Sequence, residues 1–193
     1  GAVAGKLAEE GYELTAVDYS EKMIEGAKEK TQINAFVADM RDLSGVGKDY
    51  DLVYCIGNSI ALLDSADEIR LFFEEAYKAC KFGGRLVLQW VNFYPFWSRD
   101  GENLGSLPTI ENPEIRFERH YYRKDNKILF KTVLHHGQEK IENSADLYPI
   151  MHDEAIGMLE GLGFGDIELF GAFDKSAFKK DSSFHVVVRA KKI

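Results

Sequence analysis

The first ninety residues alternate short apolar runs with amphipathic stretches. Four of these runs predict strands, over 13–17, 34–38, 50–56 and 85–91. The run at 50–56 is nearly all apolar, which is typical of a strand that is covered on both faces. Helical spacing predicts helices over 21–30, which Ser20 can cap, and over 67–80, which Gly83-Gly84 would end. This strand–helix alternation predicts a parallel sheet with right-handed crossovers.

The pattern changes after residue 91. Residues 92–106 are aromatic and irregular, whereas about 114–148 read as three antiparallel strands separated by turns at 124–127 and 135–138. We therefore expect a small antiparallel cap inserted over 92–150. The remaining elements are a helix over 152–162 and strands over 167–170 and 184–190. The whole chain, 1–193, is predicted to be one doubly wound α/β domain with a mostly parallel Rossmann-like sheet and an antiparallel last strand.

Charge and cysteine usage narrow the function classes. The net charge is −8, from 24 Lys and Arg against 32 Asp and Glu, which argues against nucleic-acid partners. No apolar run is long enough to cross a membrane. Cys55 and Cys80 lie in different elements without metal-ligand spacing, which favours a reducing, cytoplasmic setting. The five histidines form no recognisable metal set, so we expect no metal site.

Asp18 ends the first apolar run, 17 positions after Gly1. In nucleoside-binding α/β folds, a glycine-rich turn precedes a helix, and an acidic residue about 20 positions later accepts hydrogen bonds from ribose hydroxyls. We therefore expect Gly1 to be the last glycine of such a turn, with the first strand and most of the turn upstream. The alternatives are that Asp18 only caps the following helix and that Gly1 carries no meaning.

Several stretches, in this order, resemble class I S-adenosylmethionine-dependent methyltransferases. They are GAVAGKL at 1–7, VDYSEKM at 17–23, ADMR at 38–41, YDLVYC at 50–55, KFGGRL at 81–86 and LGF at 162–164. The resemblance spans nearly the whole chain. The stretch CIGNS at 55–59, together with the antiparallel insertion, is similar to the small-molecule branch that includes glycine/sarcosine N-methyltransferases. The departure is the start of the chain, which lacks the earlier glycines and the acidic residue that precede Gly1 in the family.

The resemblance implies S-adenosylmethionine as the cofactor and assigns eight residues to it: Gly1, Asp18, Tyr19, Met23, Asp39, Met40, Ile56 and Gly57. In this assignment Asp18 holds the ribose and Tyr19 packs on the adenine. Asp39 accepts from the adenine amino group, with the Met40 backbone beside it. Gly1, Ile56 and Gly57 lie along the methionine part. Asp39 could instead be a loop carboxylate, and Asp42 is then its rival.

The acceptor is expected to be a small molecule with a nitrogen or oxygen nucleophile, bound by residues in or after the segments that close over the cofactor. The candidates are Asn58, Asn92, Tyr94, Trp97 and Arg116. Three of them have a structural alternative: Asn58 as a turn residue, Trp97 as a core residue, and Arg116 as a solvent-facing charge. Arg116 or its neighbour Arg119 could otherwise bind a carboxylate. No catalytic base is assigned, because positioning in a dry pocket suits this transfer. The rival functions are a nicotinamide-dependent oxidoreductase and a non-catalytic nucleoside-binding module.

Overall fold

A computed structural model describes residues 2–30 and 33–193. Its helices are α1 (Ala2–Glu9), α2 (Glu21–Lys30), α3 (Ala66–Ala79), α4 (Tyr94–Trp97) and α5 (His152–Leu162), with a 3₁₀ turn at Ser59–Leu62. Its strands are β1 (Thr15–Asp18), β2 (Asn34–Val37), β3 (Tyr50–Cys55), β4 (Cys80–Val91), β5 (Asn103–Glu111), β6 (Ile115–Lys124), β7 (Lys127–His136), β8 (Glu139–Leu147), β9 (Phe164–Phe170) and β10 (His185–Lys192). None of the described helices is both long enough and apolar enough to cross a membrane.

The strands outside the cap pair in two groups, and the predicted α/β class is confirmed. β1 and β2 form a parallel pair in which Asp18 lies beside Val37. The other group has the order β3-β4-β10-β9, with β3 parallel to β4 and β10 antiparallel to both of its neighbours. The antiparallel last strand is therefore as expected. Because His185 pairs with Val91, the start of β10 lies beside the carboxyl end of β4.

Helix α3 shows how the local sequence fixes an element. Ser65 caps it by accepting a 3.3 Å hydrogen bond from the Glu68 backbone N–H. Its apolar stripe, which includes Ile69 and Phe73, is buried as the helical spacing predicts. The helix ends at Ala79, one residue before the predicted end, and β4 begins at Cys80 rather than at 85, so that Gly83-Gly84 lie inside the strand. A Cβ added at Gly84 would be 2.8 Å from the Cys80 sulfur, so this glycine permits a close approach within the strand.

The cap is a separate antiparallel sheet of four strands in the order β5-β6-β7-β8. The expectation of three strands after an irregular 92–106 segment was wrong, because α4 forms within that segment and β5 begins at Asn103. Gly105 and Pro108 interrupt the alternating pattern of β5, and its pairing with β6 shifts register twice. Such breaks hide a strand from pattern analysis.

One hydrophobic cluster joins the cap to the α/β sheet. Tyr121 of β6 is only 2 % exposed, and its ring lies 4.8 Å from that of Phe96 and 4.9 Å from that of Phe130. On the sheet side, the fully buried Trp90 donates a 3.1 Å hydrogen bond from Nε1 to the Ile150 carbonyl. The cap is therefore held by packed aromatic rings and not by its connections alone.

Candidate functional site

Asp18 is the last residue of β1 and its carboxylate is half-buried. Its Oδ1 accepts a 2.8 Å hydrogen bond from the Ser20 N–H, while Ser20 Oγ accepts from the Met23 N–H at the start of α2. The capping contact to the helix thus comes from Ser20. Within the described part of the chain, Asp18 Oδ2 has no hydrogen-bond partner, which leaves an acceptor oxygen at the strand end for a bound hydroxyl.

Apolar side chains stand open to solvent around Asp18. Tyr19 is 84 % exposed, Met23 is 55 % exposed and Val37 is 54 % exposed. Exposed apolar side chains that border a carboxylate are typical of a surface that covers a flat, partly polar ligand. An aromatic ring system with an attached diol, such as a nucleoside, has the chemistry that this arrangement fits.

Asp39 follows β2 and is held by Arg41. The guanidinium binds it through Nε at 2.9 Å and through Nη2 at 2.5 Å, and also reaches Glu68 of α3 at 2.5 Å through Nη1. The hydrogen bonds from the Arg41 side chain and N–H lower the pKa of Asp39, so the carboxylate stays ionised as an acceptor. Asp42, its rival in the sequence, accepts from the Ser44 N–H within its own turn.

The end of β3 is fixed by Gln89, a buried amide of β4 that sequence analysis did not single out. Gln89 Oε1 accepts from the Gly57 N–H at 2.8 Å, and Asn58 Oδ1 accepts from the Val91 N–H at 3.0 Å. Asn58 therefore has a structural role, with its Oδ1 used inside the protein. Gly57 has φ +79° and open space where a Cβ would stand, so a ligand can approach its backbone closely. The signal in the sequence that could have identified Gln89 is that it is a single polar residue within the apolar run of β4.

Asn92 is buried and fully engaged. Its Nδ2 donates to the carbonyls of Lys180 at 2.7 Å and Ser183 at 2.9 Å, and its Oδ1 accepts from the Tyr94 N–H. Both donors of the amide are used, so the structure gives Asn92 the role of anchoring the β9–β10 loop. A substrate contact was expected of Asn92, and Lys180 was not among the candidate site residues. Loop contacts 88 positions away leave no local signal in a sequence.

The remaining acceptor candidates separate in space. Tyr94 begins α4, directly after β4, and its ring lies 4.0 Å from the Lys180 ammonium. Trp97 lies under the Arg123 guanidinium at 4.4 Å and accepts from it through its carbonyl, so it links α4 to the cap.

Arg116 is not brought to the site. It is 54 % exposed and paired with Glu118, and it alternates with the inward-facing Tyr121 along β6, so it lies on the opposite face of the cap. The alternation of residues along β6 does not show which of its two faces packs inward, because that depends on how the strand pairs with its neighbours.

The other predicted residues are placed as follows. Met40 is half-buried against the hydrophobic cluster, and Ile56 is half-buried with its carbonyl accepting from Ser59 Oγ at 3.1 Å. Gly1 lies outside the described residues. Over 2–30 and 33–193 no group of His, Cys, Asp and Glu has an arrangement that could hold a metal ion.

Cys55 ends β3, and burial raises the pKa of its thiol to about 12. The thiolate is the reactive form of cysteine, so a raised pKa lowers the reactivity of Cys55 at pH 8. We expect iodoacetamide at pH 8 to leave Cys55 unmodified in the native protein. In about 8 M urea, which unfolds most small domains, the same reagent should alkylate Cys55. Peptide mass spectrometry measures both outcomes. Alkylation of native Cys55 at the rate of a free cysteine would contradict this burial.

Known proteins resemble this chain in sequence and in fold. A family model described as "Methyltransferase domain" matches residues 1–84. The glycine/sarcosine N-methyltransferase of Aphanothece halophytica is 27 % identical over 203 residues, which cover 96 % of this chain and 71 % of that protein. The solved structure of the CcbJ methyltransferase from Streptomyces caelestis superimposes with a TM-score of 0.85 at 20 % identity, covering 100 % of this chain and 85 % of that one. The sugar N-methyltransferase KedS8 from Streptoalloteichus superimposes with a TM-score of 0.67 at 18 % identity, covering 92 % and 70 %.

Proposed function

We propose that this chain, a class I S-adenosylmethionine-dependent methyltransferase, transfers the methyl group to an amine nitrogen of a small molecule. The observation that carries the cofactor part of the proposal is the half-open carboxylate of Asp18, bordered by exposed apolar side chains at the end of β1. A nicotinamide-dependent reaction is not favoured, because the family match and the named relative are methyltransferases.

The described residues fit the cofactor. Asp18 would accept from the ribose hydroxyls, and Tyr19 and Met23 would cover the adenine. Asp39, kept ionised by Arg41, would accept from the adenine amino group beside Met40. Ile56 and Gly57 would lie along the methionine part, where the open space above Gly57 admits a close approach, and Gly1 is assigned to the same part by the sequence alone. When bound, the cofactor supplies a methyl group on an electrophilic sulfonium.

The chain's own contribution is to position the acceptor and exclude water. Cys55 stays protonated, so it does not compete as a nucleophile. The cap, α4 and the β9–β10 loop lie at or next to the end of β4, where they would enclose an acceptor. Placing the two reactants together can supply much of the acceleration of a displacement reaction, provided that the amine is unprotonated.

Nitrogen as the acceptor atom and a small acceptor are supported by separate observations. The relative from Aphanothece halophytica is named for glycine and sarcosine, both small amines. The net charge of −8 disfavours nucleic acid as a substrate.

Cys55 and Cys80 are both free thiols, which suits a reducing, cytoplasmic setting.

A label-transfer assay tests this function. The full-length protein is incubated with methyl-labelled S-adenosylmethionine and, separately, with a pooled metabolite extract, a protein lysate and nucleic acid. We expect label in the metabolite fraction, in a product that mass spectrometry identifies as an N-methylated amine. Label that enters only the macromolecular fractions, or only O-methylated products, would refute the proposal.

A further inference from the structure

The loop between β9 and β10, residues 171–184, lies at the carboxyl end of β4. The carbonyl of Phe184, the last residue of the loop, accepts a 2.9 Å hydrogen bond from the Asn92 N–H, and this bond continues the pairing of β10 with β4. The buried Asn92 amide then holds two further carbonyls of the loop, those of Lys180 and Ser183. A single side chain at the end of β4 therefore fixes both the loop and, through Oδ1, the start of α4 at Tyr94.

This anchoring places a charge over an aromatic ring. The Lys180 ammonium lies 4.0 Å from the centre of the Tyr94 ring, within cation–π distance. Lys180 is exposed, and no carboxylate oxygen of the described residues lies within 4.0 Å of its Nζ, although Asp181 is its neighbour in sequence. Lys78 and Lys127, in contrast, are paired with acidic side chains.

Lys180 lies at the strand ends where a methyl acceptor would bind. Tyr94 and Asn92 follow β4, and the loop after β3 is tied to the same strand end because Asn58 Oδ1 accepts from the Val91 N–H. In open α/β sheets ligands bind outside the carboxyl ends of the strands. The ammonium and the Tyr94 ring thus stand where β3 and β4 both end.

We propose that Lys180, stacked on Tyr94 and placed by Asn92, recognises a carboxylate on the methyl acceptor. The acceptor is then an amino acid or an N-substituted amino acid, and not an uncharged amine or a neutral amino sugar. This inference rests on the proposed methyl transfer. A lysine held over a ring presents its N–H donors to an anion with little loss of side-chain freedom, and a hydrogen bond to a charged group is stronger than a neutral one.

The test compares acids with their amides. Steady-state kinetics are measured with a panel of free amino acids and their primary carboxamides, for the full-length protein and three variants. Lys180→Gln should raise KM for the acids about ten-fold to a hundred-fold while kcat and the KM for the amides stay unchanged. Lys180→Arg keeps the charge and should restore most of the affinity. Lys179→Gln, the matched control, removes the neighbouring exposed lysine of the same loop and should leave both KM values unchanged.

The outcomes separate this inference from the proposed function. A Lys180→Gln variant whose KM rises equally for acids and amides, or for neither, overturns the carboxylate role. Preferential methylation of uncharged amines by the wild-type protein also overturns it and leaves methyl transfer intact. Methylation of no amine at all counts against the proposed function itself. Calorimetric binding of an amino acid to the protein with S-adenosylhomocysteine gives a readout without turnover, and Lys180→Gln should weaken that binding by the same factor.

Discussion

Replacing Asp18 with alanine is expected to weaken S-adenosylmethionine binding at least about ten-fold, and at least about a hundred-fold if two bonds to the ribose are lost. Hydrogen bonds to a charged group contribute about 1.5–3 kcal/mol each, and each 1.4 kcal/mol is about a factor of ten. Asp18 Oδ1 also accepts from the Ser20 N–H, so the variant removes one local contact as well. Isothermal calorimetry on the full-length protein measures the effect.

Asp42→Ala is the matched control for this measurement. Asp42 is also an acidic residue that follows a strand and accepts from a backbone N–H two positions on, but it lies in an exposed turn. Its loss should leave the dissociation constant unchanged. An Asp18→Ala variant that binds as tightly as the wild type, or a control that weakens binding equally, would exclude the ribose assignment.

Tyr121→Ala should destabilise the protein by about 3–5 kcal/mol, the cost typical of removing a large buried aromatic side chain. The Tyr121 ring is only 2 % exposed and touches both Phe96 of α4 and Phe130 of the cap. The resulting cavity would lie where the cap meets the α/β sheet. Urea unfolding followed by circular dichroism measures the loss in free energy of unfolding.

Tyr122→Ala is the control on the same strand. Tyr122 is half-buried on the opposite face of β6, where the Lys131 ammonium lies 5.5 Å from the centre of its ring. We expect it to cost about 1 kcal/mol. Equal destabilisation by the two variants would show that Tyr121 does not hold the cap to the rest of the protein.

Elements with strong periodicity were predictable from sequence. The apolar stripe of α3 reports burial directly, because side-chain spacing follows helix geometry. The apolar run of β3 located the strand, but the expectation that both of its faces are covered was wrong: β3 lies at the edge of its sheet, and its residues are half-buried or exposed. β5 was missed because Gly105 and Pro108 break its alternation, and its place in the sheet depends on pairing with β6. The start of β4 was predicted at 85 but lies at Cys80, because Gly83 and Gly84, a usual helix stop signal, lie inside the strand, where Gly84 permits a close approach to Cys80.

The candidate site was predictable where it lies at strand ends. Asp18 ends β1 and Asp39 follows β2, and that placement is visible in the sequence. Roles that depend on distant contacts were not visible. Asn92 anchors a loop about ninety positions away, and Arg116 faces outward because of its register on β6. In both cases the residue type suited a ligand contact, but the structure gives Asn92 hydrogen bonds within the protein and pairs Arg116 with Glu118.

A crystal structure of the full-length protein with S-adenosylhomocysteine tests the central claim most directly. The account predicts that the Asp18 carboxylate lies within hydrogen-bond distance of the ribose hydroxyls, that Tyr19 and Met23 cover the adenine, and that the sulfur lies on the side of Gly57 and Tyr94. A nucleoside bound away from the end of β1, with Asp18 still open to solvent, would contradict it.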